Sequence, residues 1–152
     1  MGEFITTRPE ETLQLGKRVA AKLEAGDVIC LSGDLGAGKT LFTQGIAEGL
    51  GVSEDVTSPT FTIMQVYEEG RLAIYHFDLY RLDRIDELEN IGFDEYIGHA
   101  GVAIIEWADK FREYMPQEYL WIEILLGQEP NERIIRVNGV GDRFVMLCEG
   151  LK

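Results

Sequence analysis

Positive charge is scarce in this sequence. Only 14 Lys and Arg stand against 27 Asp and Glu, a formal net charge of −13 spread along all 152 residues. A broad surface for DNA or RNA needs basic clusters, so direct nucleic-acid binding is disfavoured. Histidine is rarer still: His76 and His99 stand apart, with no H-E-x-x-H spacing, and both are read as structural. The two cysteines, Cys30 and Cys148, form no C-x-x-C pair, and Cys30 falls in an expected buried strand. A disulfide framework is thereby excluded and a reducing, cytoplasmic setting expected. No apolar run is long enough to span a bilayer, and no signal-peptide layout opens the chain. Repeats, low-complexity segments and linkers are missing too. The expectation is a single domain over 1–152, with 45% hydrophobic residues to build its core.

What is present is Gly33-Asp34-Leu35-Gly36-Ala37-Gly38-Lys39-Thr40, which fits G-x-x-x-x-G-K-[ST]. Glycines let successive backbone N–H groups converge on one anion. Lys39 supplies a mobile cation for the β- and γ-phosphates. Thr40 opens a helix whose free N–H groups and positive dipole end also favour phosphate, and its hydroxyl is the usual magnesium ligand of such a loop. The flanks suit the motif. Asp27 to Ser32 reads as a short buried strand, and Leu41, Phe42, Ile46, Ala47 and Leu50 recur at helical spacing until Gly51. A bound triphosphate needs this local reversal of an otherwise acidic surface.

Upstream, Thr7-Arg8-Pro9-Glu10 has the spacing of a capping box, followed by Leu13, Gly16, Val19, Ala20 and Leu23 at helical intervals and a stop at Gly26. This helix is read first as structural, with only its first turn placed near a bound base. Downstream, Thr57-Ser58-Pro59-Thr60-Phe61 is extended by its proline and rich in hydroxyls, and reads as a switch segment beside magnesium or the γ-phosphate. Phe61 to Tyr67 and Leu72 to Phe77 form an expected hairpin around Glu68-Glu69-Gly70-Arg71. Asp78 follows the second strand, where a Walker B carboxylate sits. After a short acidic helix over 83–92 and a second short segment over 93–98, Val102 to Ile105 is a continuous apolar run, as in a central parallel strand, and it ends in Glu106-Trp107. Ligands of open α/β sheets bind at the carboxyl ends of strands. The glycine loop, Asp78 and Glu106 are therefore expected on one edge, with Trp107 adjoining. Tyr119 to Leu126, Arg133 to Val137 and Phe144 to Cys148 are strand candidates of an antiparallel C-terminal part.

These motifs together resemble the TsaE family of small bacterial P-loop ATPases in threonylcarbamoyladenosine formation. The resemblance rests on Gly33 to Thr40, Ser58-Pro59-Thr60-Phe61, His76-Phe77-Asp78-Leu79-Tyr80-Arg81 and Glu106-Trp107, in the family's order and spacing. It implies an α/β fold, a P-loop NTPase-like sandwich with a mixed parallel/antiparallel central sheet flanked by helices. It implies ATP or ADP held with Mg2+ by Asp34, Leu35, Gly36, Ala37, Gly38, Lys39, Thr40 and Leu41, with Trp107 and Thr12 beside the nucleotide. Thr40 and Glu106 would hold the metal, Asp78 would be the Walker B-like acid, and Thr60 would belong to the switch. The implied partners are TsaB and TsaD, which act on the adenosine beside the tRNA anticodon, with tRNA met only through that complex. Two other functions share the P-loop: a small-molecule kinase, for which Arg81 and Arg84 are the lid-like arginines, and a nucleotide-responsive binding module. A GTPase is disfavoured because N-K-x-D is absent.

Overall fold

A computed structural model of the chain describes residues 2–34 and 37–152. Its elements are β1 (Gly2–Thr6), α1 (Pro9–Ala20), β2 (Val28–Gly33), α2 (Lys39–Leu50), β3 (Met64–Tyr67), β4 (Ile74–Asp78), α3 (Ile85–Asn90), α4 (Phe93–Tyr96), β5 (Val102–Glu106), a 3-10 segment (Ala108–Tyr114), β6 (Tyr119–Leu126), β7 (Arg133–Val140) and α5 (Asp142–Glu149). The seven strands form one sheet in the order β1-β7-β6-β2-β5-β4-β3. The central four, β6, β2, β5 and β4, are parallel to their neighbours in that group, while β7, β1 and β3 pair antiparallel at the flanks. The mixed α/β sheet expected from the sequence is therefore present.

The residue pattern explains the layering. Every residue of β5 is buried, because its neighbours cover both edges and helices cover both faces. One face presents Ile29, Leu31, Ile74, Ile104, Leu120, Ile122 and Ile124 to a core shared with Val19, Phe42, Ile46 and Leu147 of the helices. The other presents Val28, Cys30, Phe77, Ala103 and Ile105 to Leu82, Leu88, Phe93 and Phe111. Because the central strands run parallel, the carboxyl ends of β2, β4 and β5 open on the same edge of the sheet.

Several expectations need correction. Phe144 to Cys148 is helical: α5 packs Phe144, Leu147 and Cys148 inward and leaves Val145 and Met146 exposed, a three-to-four-residue period no strand would give. Tyr119 to Leu126 pairs parallel to β2 as well as antiparallel to β7, so it joins the central sheet. β3 begins at Met64, later than Phe61. The expected Thr7–Glu10 capping box is replaced by Glu11, whose Oε1 accepts from Thr7 N (2.7 Å) and Thr7 Oγ1 (3.1 Å). α1 ends at Ala20, and Gly26 (φ +91°) instead turns the chain into β2. β1 was not expected; its partner lies some 130 positions away in sequence, with Phe4 opposite Ile135.

Candidate active site

β2 ends at Gly33 and α2 starts at Lys39. Gly38 makes the turn between them with φ +110°, a left-handed conformation that a side chain disfavours. Leu35 and Gly36, both expected to bind phosphate, lie outside the described residues. The sheet steadies the base of the loop. Asp34 N donates to Ile124 O (3.1 Å), while Asp34 Oδ2 accepts from Leu126 N (3.1 Å). Asp34 thus anchors the loop to β6. Ala37 O accepts from Arg133 Nε of β7 (2.9 Å), a brace that sequence reading missed because a lone arginine at a strand start carries no signal.

Beyond the loop lies a pocket of about 510 Å3, lined by Gly38 to Leu41 and Gln44 of α2, by Ser58 and Thr60, and by Asp78, Glu106 and Trp107. Asp78 and Glu106 stand opposite one another in the β4–β5 register and are almost fully buried. Gly38, Lys39 and Thr40 at the end of the glycine loop, expected on one sheet edge with Asp78 and Glu106, line this pocket with them, and Ser58 and Thr60 join the same lining. Thr12 does not line this pocket; it is buried in α1, with its hydroxyl 2.9 Å from Thr6 Oγ1. An adjoining groove of about 760 Å3, between Leu13 and Lys17 of α1 and the 51–56 connection, shares Leu41 and Gln44 with it.

Both carboxylates are held, by different partners. Asp78 Oδ2 accepts from Thr60 Oγ1 (2.9 Å) and Oδ1 from Tyr80 N (3.0 Å). Ser58 Oγ lies 2.6 Å from Thr60 Oγ1. The main chain closes the same turn: Ile63 N donates to Pro59 O (2.7 Å), and Asp78 N to Ile63 O (2.8 Å). Glu106 Oε2 lies 2.7 Å from His76 Nε2 inside the sheet. His76, read from sequence as merely structural, is therefore joined directly to a site carboxylate. Lys39 Nζ sits 3.5 Å from Gly33 O and 5.1 Å from the centre of the Trp107 ring, which packs on Tyr80 at 4.9 Å. Ile63 (φ 69°) and Trp107 (φ 63°) both take left-handed backbone beside the pocket. Such strain in non-glycine residues gathers at functional positions. Arg81 lies over Phe61 (5.5 Å) and Arg84 pairs with Asp86 (3.2 Å); neither lines the pocket.

The donor chemistry suits magnesium. Thr40, Asp78 and Glu106 offer oxygen only, the type Mg2+ prefers, and no group of three or more His, Cys, Asp or Glu side chains forms a ready metal cage among the described residues. Magnesium keeps most of its waters and takes few protein ligands, so this sparse set fits it better than it would fit calcium or zinc.

Fold and site together define an α/β protein with a P-loop sequence motif between strand and helix, and two acids at the ends of neighbouring parallel strands. The family model described as "Threonylcarbamoyl adenosine biosynthesis protein TsaE" matches residues 6–135. The chain belongs to the TsaE family of threonylcarbamoyladenosine biosynthesis proteins. It is 50% identical over 146 residues to the tRNA threonylcarbamoyladenosine biosynthesis protein TsaE of Bacillus subtilis, covering 96% of this chain and 90% of that protein. It is 38% identical over 130 residues to the protein of that name from Treponema pallidum, covering 86% and 96%. The crystal structure of Bacillus subtilis YdiB superposes with a TM-score of 0.86 at 45% identity, covering 99% of this chain and 93% of that one. No helix among the described residues is long and apolar enough to cross a membrane.

Proposed function

We propose that this chain binds and hydrolyses ATP with Mg2+ in the bacterial cytoplasm, and that its cycle supports threonylcarbamoylation of tRNA by a TsaB–TsaD pair. The observation that carries the reading is the shared pocket: Lys39 and Thr40 at the start of α2 face the same space as Thr60, Asp78 and Glu106. Lys39 would balance charge on the β- and γ-phosphates, assisted by the N-terminal amides of α2. Thr40 and Glu106 would hold the metal, which when bound neutralises phosphate charge. Asp78 would orient the attacking water. Phosphoryl transfer needs positioning and charge stabilisation more than covalent chemistry, and these groups supply both in part. Thr60 is bonded to Asp78 here. A γ-phosphate competing for that hydroxyl would exchange this bond for another, which is how nucleotide state would be communicated to the 58–61 segment. The acidic surface fits a protein that leaves tRNA to its partners. The kinase alternative finds no support in Arg81 or Arg84, neither of which reaches the pocket.

The test is phosphate release with and without TsaB–TsaD. Slow release by the isolated chain, raised by the pair and lost from Thr60→Ala while ADP binding persists, is expected. An isolated chain turning over at a typical enzyme's roughly 10 per second, unchanged by the pair, would reject coupling.

A further inference from the structure

The contact between His76 and Glu106 has no role in the scheme above. His76 lies on β4 two residues before Asp78, so both side chains leave the same face of the strand. In register it stands opposite Ile104, and it reaches diagonally to Glu106, one pleat nearer the pocket. Its ring is wholly buried. Nε2 is 2.7 Å from Glu106 Oε2, while Nδ1 is buried with no partner among the described residues. The contact with Glu106 favours one tautomer. A bare Nε2 would set its lone pair against the carboxylate's, and a hydrogen on Nδ1 would be buried without an acceptor. Hydrogen on Nε2, donated to Oε2, avoids both and leaves only the Nδ1 lone pair without a partner. No protein hydrogen bond to Glu106 Oε1 occurs among the described residues, and Glu106 lines the pocket.

We propose that His76 is a positioning residue that holds Oε2 of Glu106 and so presents Oε1, in a fixed orientation, to a divalent cation in the pocket. The proposal rests on the magnesium-nucleotide reading. A glutamate side chain has three rotatable bonds, and Lys39 lines the same pocket as a competing cation. Tying one oxygen to the sheet removes that freedom before the metal arrives. Outer partners of metal-binding side chains commonly control metal affinity in this way.

The experiment uses the full chain with saturating ADP and Mn2+ as a paramagnetic probe with magnesium-like oxygen preference. Free Mn2+ is counted by electron paramagnetic resonance for wild type, His76→Gln and His76→Leu. Glutamine keeps a donor near the place of Nε2; leucine fills the space without one. The expected result is a loss of about ten- to a hundredfold in Mn2+ affinity for leucine, near-complete rescue by glutamine, and unchanged ADP affinity in EDTA for all three. Wild-type Mn2+ affinity in the leucine variant would overturn the proposal. So would equal losses in both variants, or a matching loss of ADP affinity in EDTA, since either marks a general packing defect. Wild type failing to bind Mn2+ with ADP would instead overturn the magnesium reading beneath it. Should leucine prevent folding, nitrogen-15 NMR of wild-type His76 decides: hydrogen on Nε2 is expected, and hydrogen on Nδ1 with a bare Nε2 overturns the proposal.

Discussion

Gly45→Ala should destabilise the protein, although alanine is the better helix former. Gly45 lies within α2, where exchange for alanine would by propensity alone stabilise by about 1 kcal/mol. Its surroundings reverse the sign. A Cβ at Gly45 would stand 2.3 Å from Leu13 O and 3.2 Å from Gly16 Cα, both backbone atoms of α1. Gly16 answers across the interface, where a Cβ would meet Phe42 O at 2.6 Å. The helices approach this closely because both lack side chains there, and neither carbonyl can swing aside as a flexible side chain would. Relief requires α1 and α2 to separate, loosening Leu15, Val19, Phe42 and Ile46, all buried in one core. Overpacking of this kind costs roughly 1–3 kcal/mol. Taking about 2–3 kcal/mol for a clash with backbone, less about 1 kcal/mol of propensity, leaves a net loss of about 1–2 kcal/mol. For a chain of this size the melting temperature should fall by roughly 2–8 °C. A thermal melt followed by circular dichroism reads it, with urea unfolding as a check on the midpoint. A rise of a few degrees, the propensity effect unopposed, would refute the close-packed interface. Since α2 begins with Lys39 and Thr40, the variant should also bind Mg-ATP more weakly.

The two carboxylates should separate by function: Glu106→Gln is expected to weaken magnesium-dependent nucleotide binding, and Asp78→Asn to slow phosphate release more than binding. A magnesium titration giving the opposite pattern would exchange their roles. Trp107 lines the pocket, so its fluorescence should respond to nucleotide. Trp121 is unsuitable as a remote control, because its Nε1 donates to Ser32 Oγ of β2 (2.9 Å); Trp121→Phe isolates the Trp107 signal, and no response in that variant would count against the site. Burial pushes the Cys30 thiol up to about 12. A thiol reagent at pH 8 should therefore leave Cys30 unmodified until the chain unfolds, and rapid native labelling would contradict the packed β2. A raised value also means that this group's contribution to stability is whole below its ordinary value near 9 and fades as pH climbs toward 12.

What the sequence made legible was local. β2, the glycine loop and α2 follow one another without interruption, so their motif and helical spacing could be read directly. Asp78 and Glu106 were legible because each terminates an apolar run. Pairings between distant segments were not. β1 is defined by β7 alone, and nothing in residues 2–6 announces a partner at 133–137. Phe144 to Cys148 misled because aromatic and β-branched residues suit strands, whereas its burial follows the helical order Phe144, Leu147, Cys148. His76 was invisible for a related reason: a lone histidine in an apolar strand acquires meaning only when β5 brings Glu106 beside it.

The most direct test of the central claim is the ligand-induced melting shift of wild type against Lys39→Ala. Mg-ATP at a hundredfold excess over Kd adds about 2.7 kcal/mol to the stability of a protein that binds it only when folded. For this length that is a rise of roughly 5–11 °C in wild type. Lys39→Ala should melt near the unliganded wild-type temperature and show little rise with Mg-ATP. Equal rises in both proteins, or none in wild type, would contradict the assignment of the pocket to ATP.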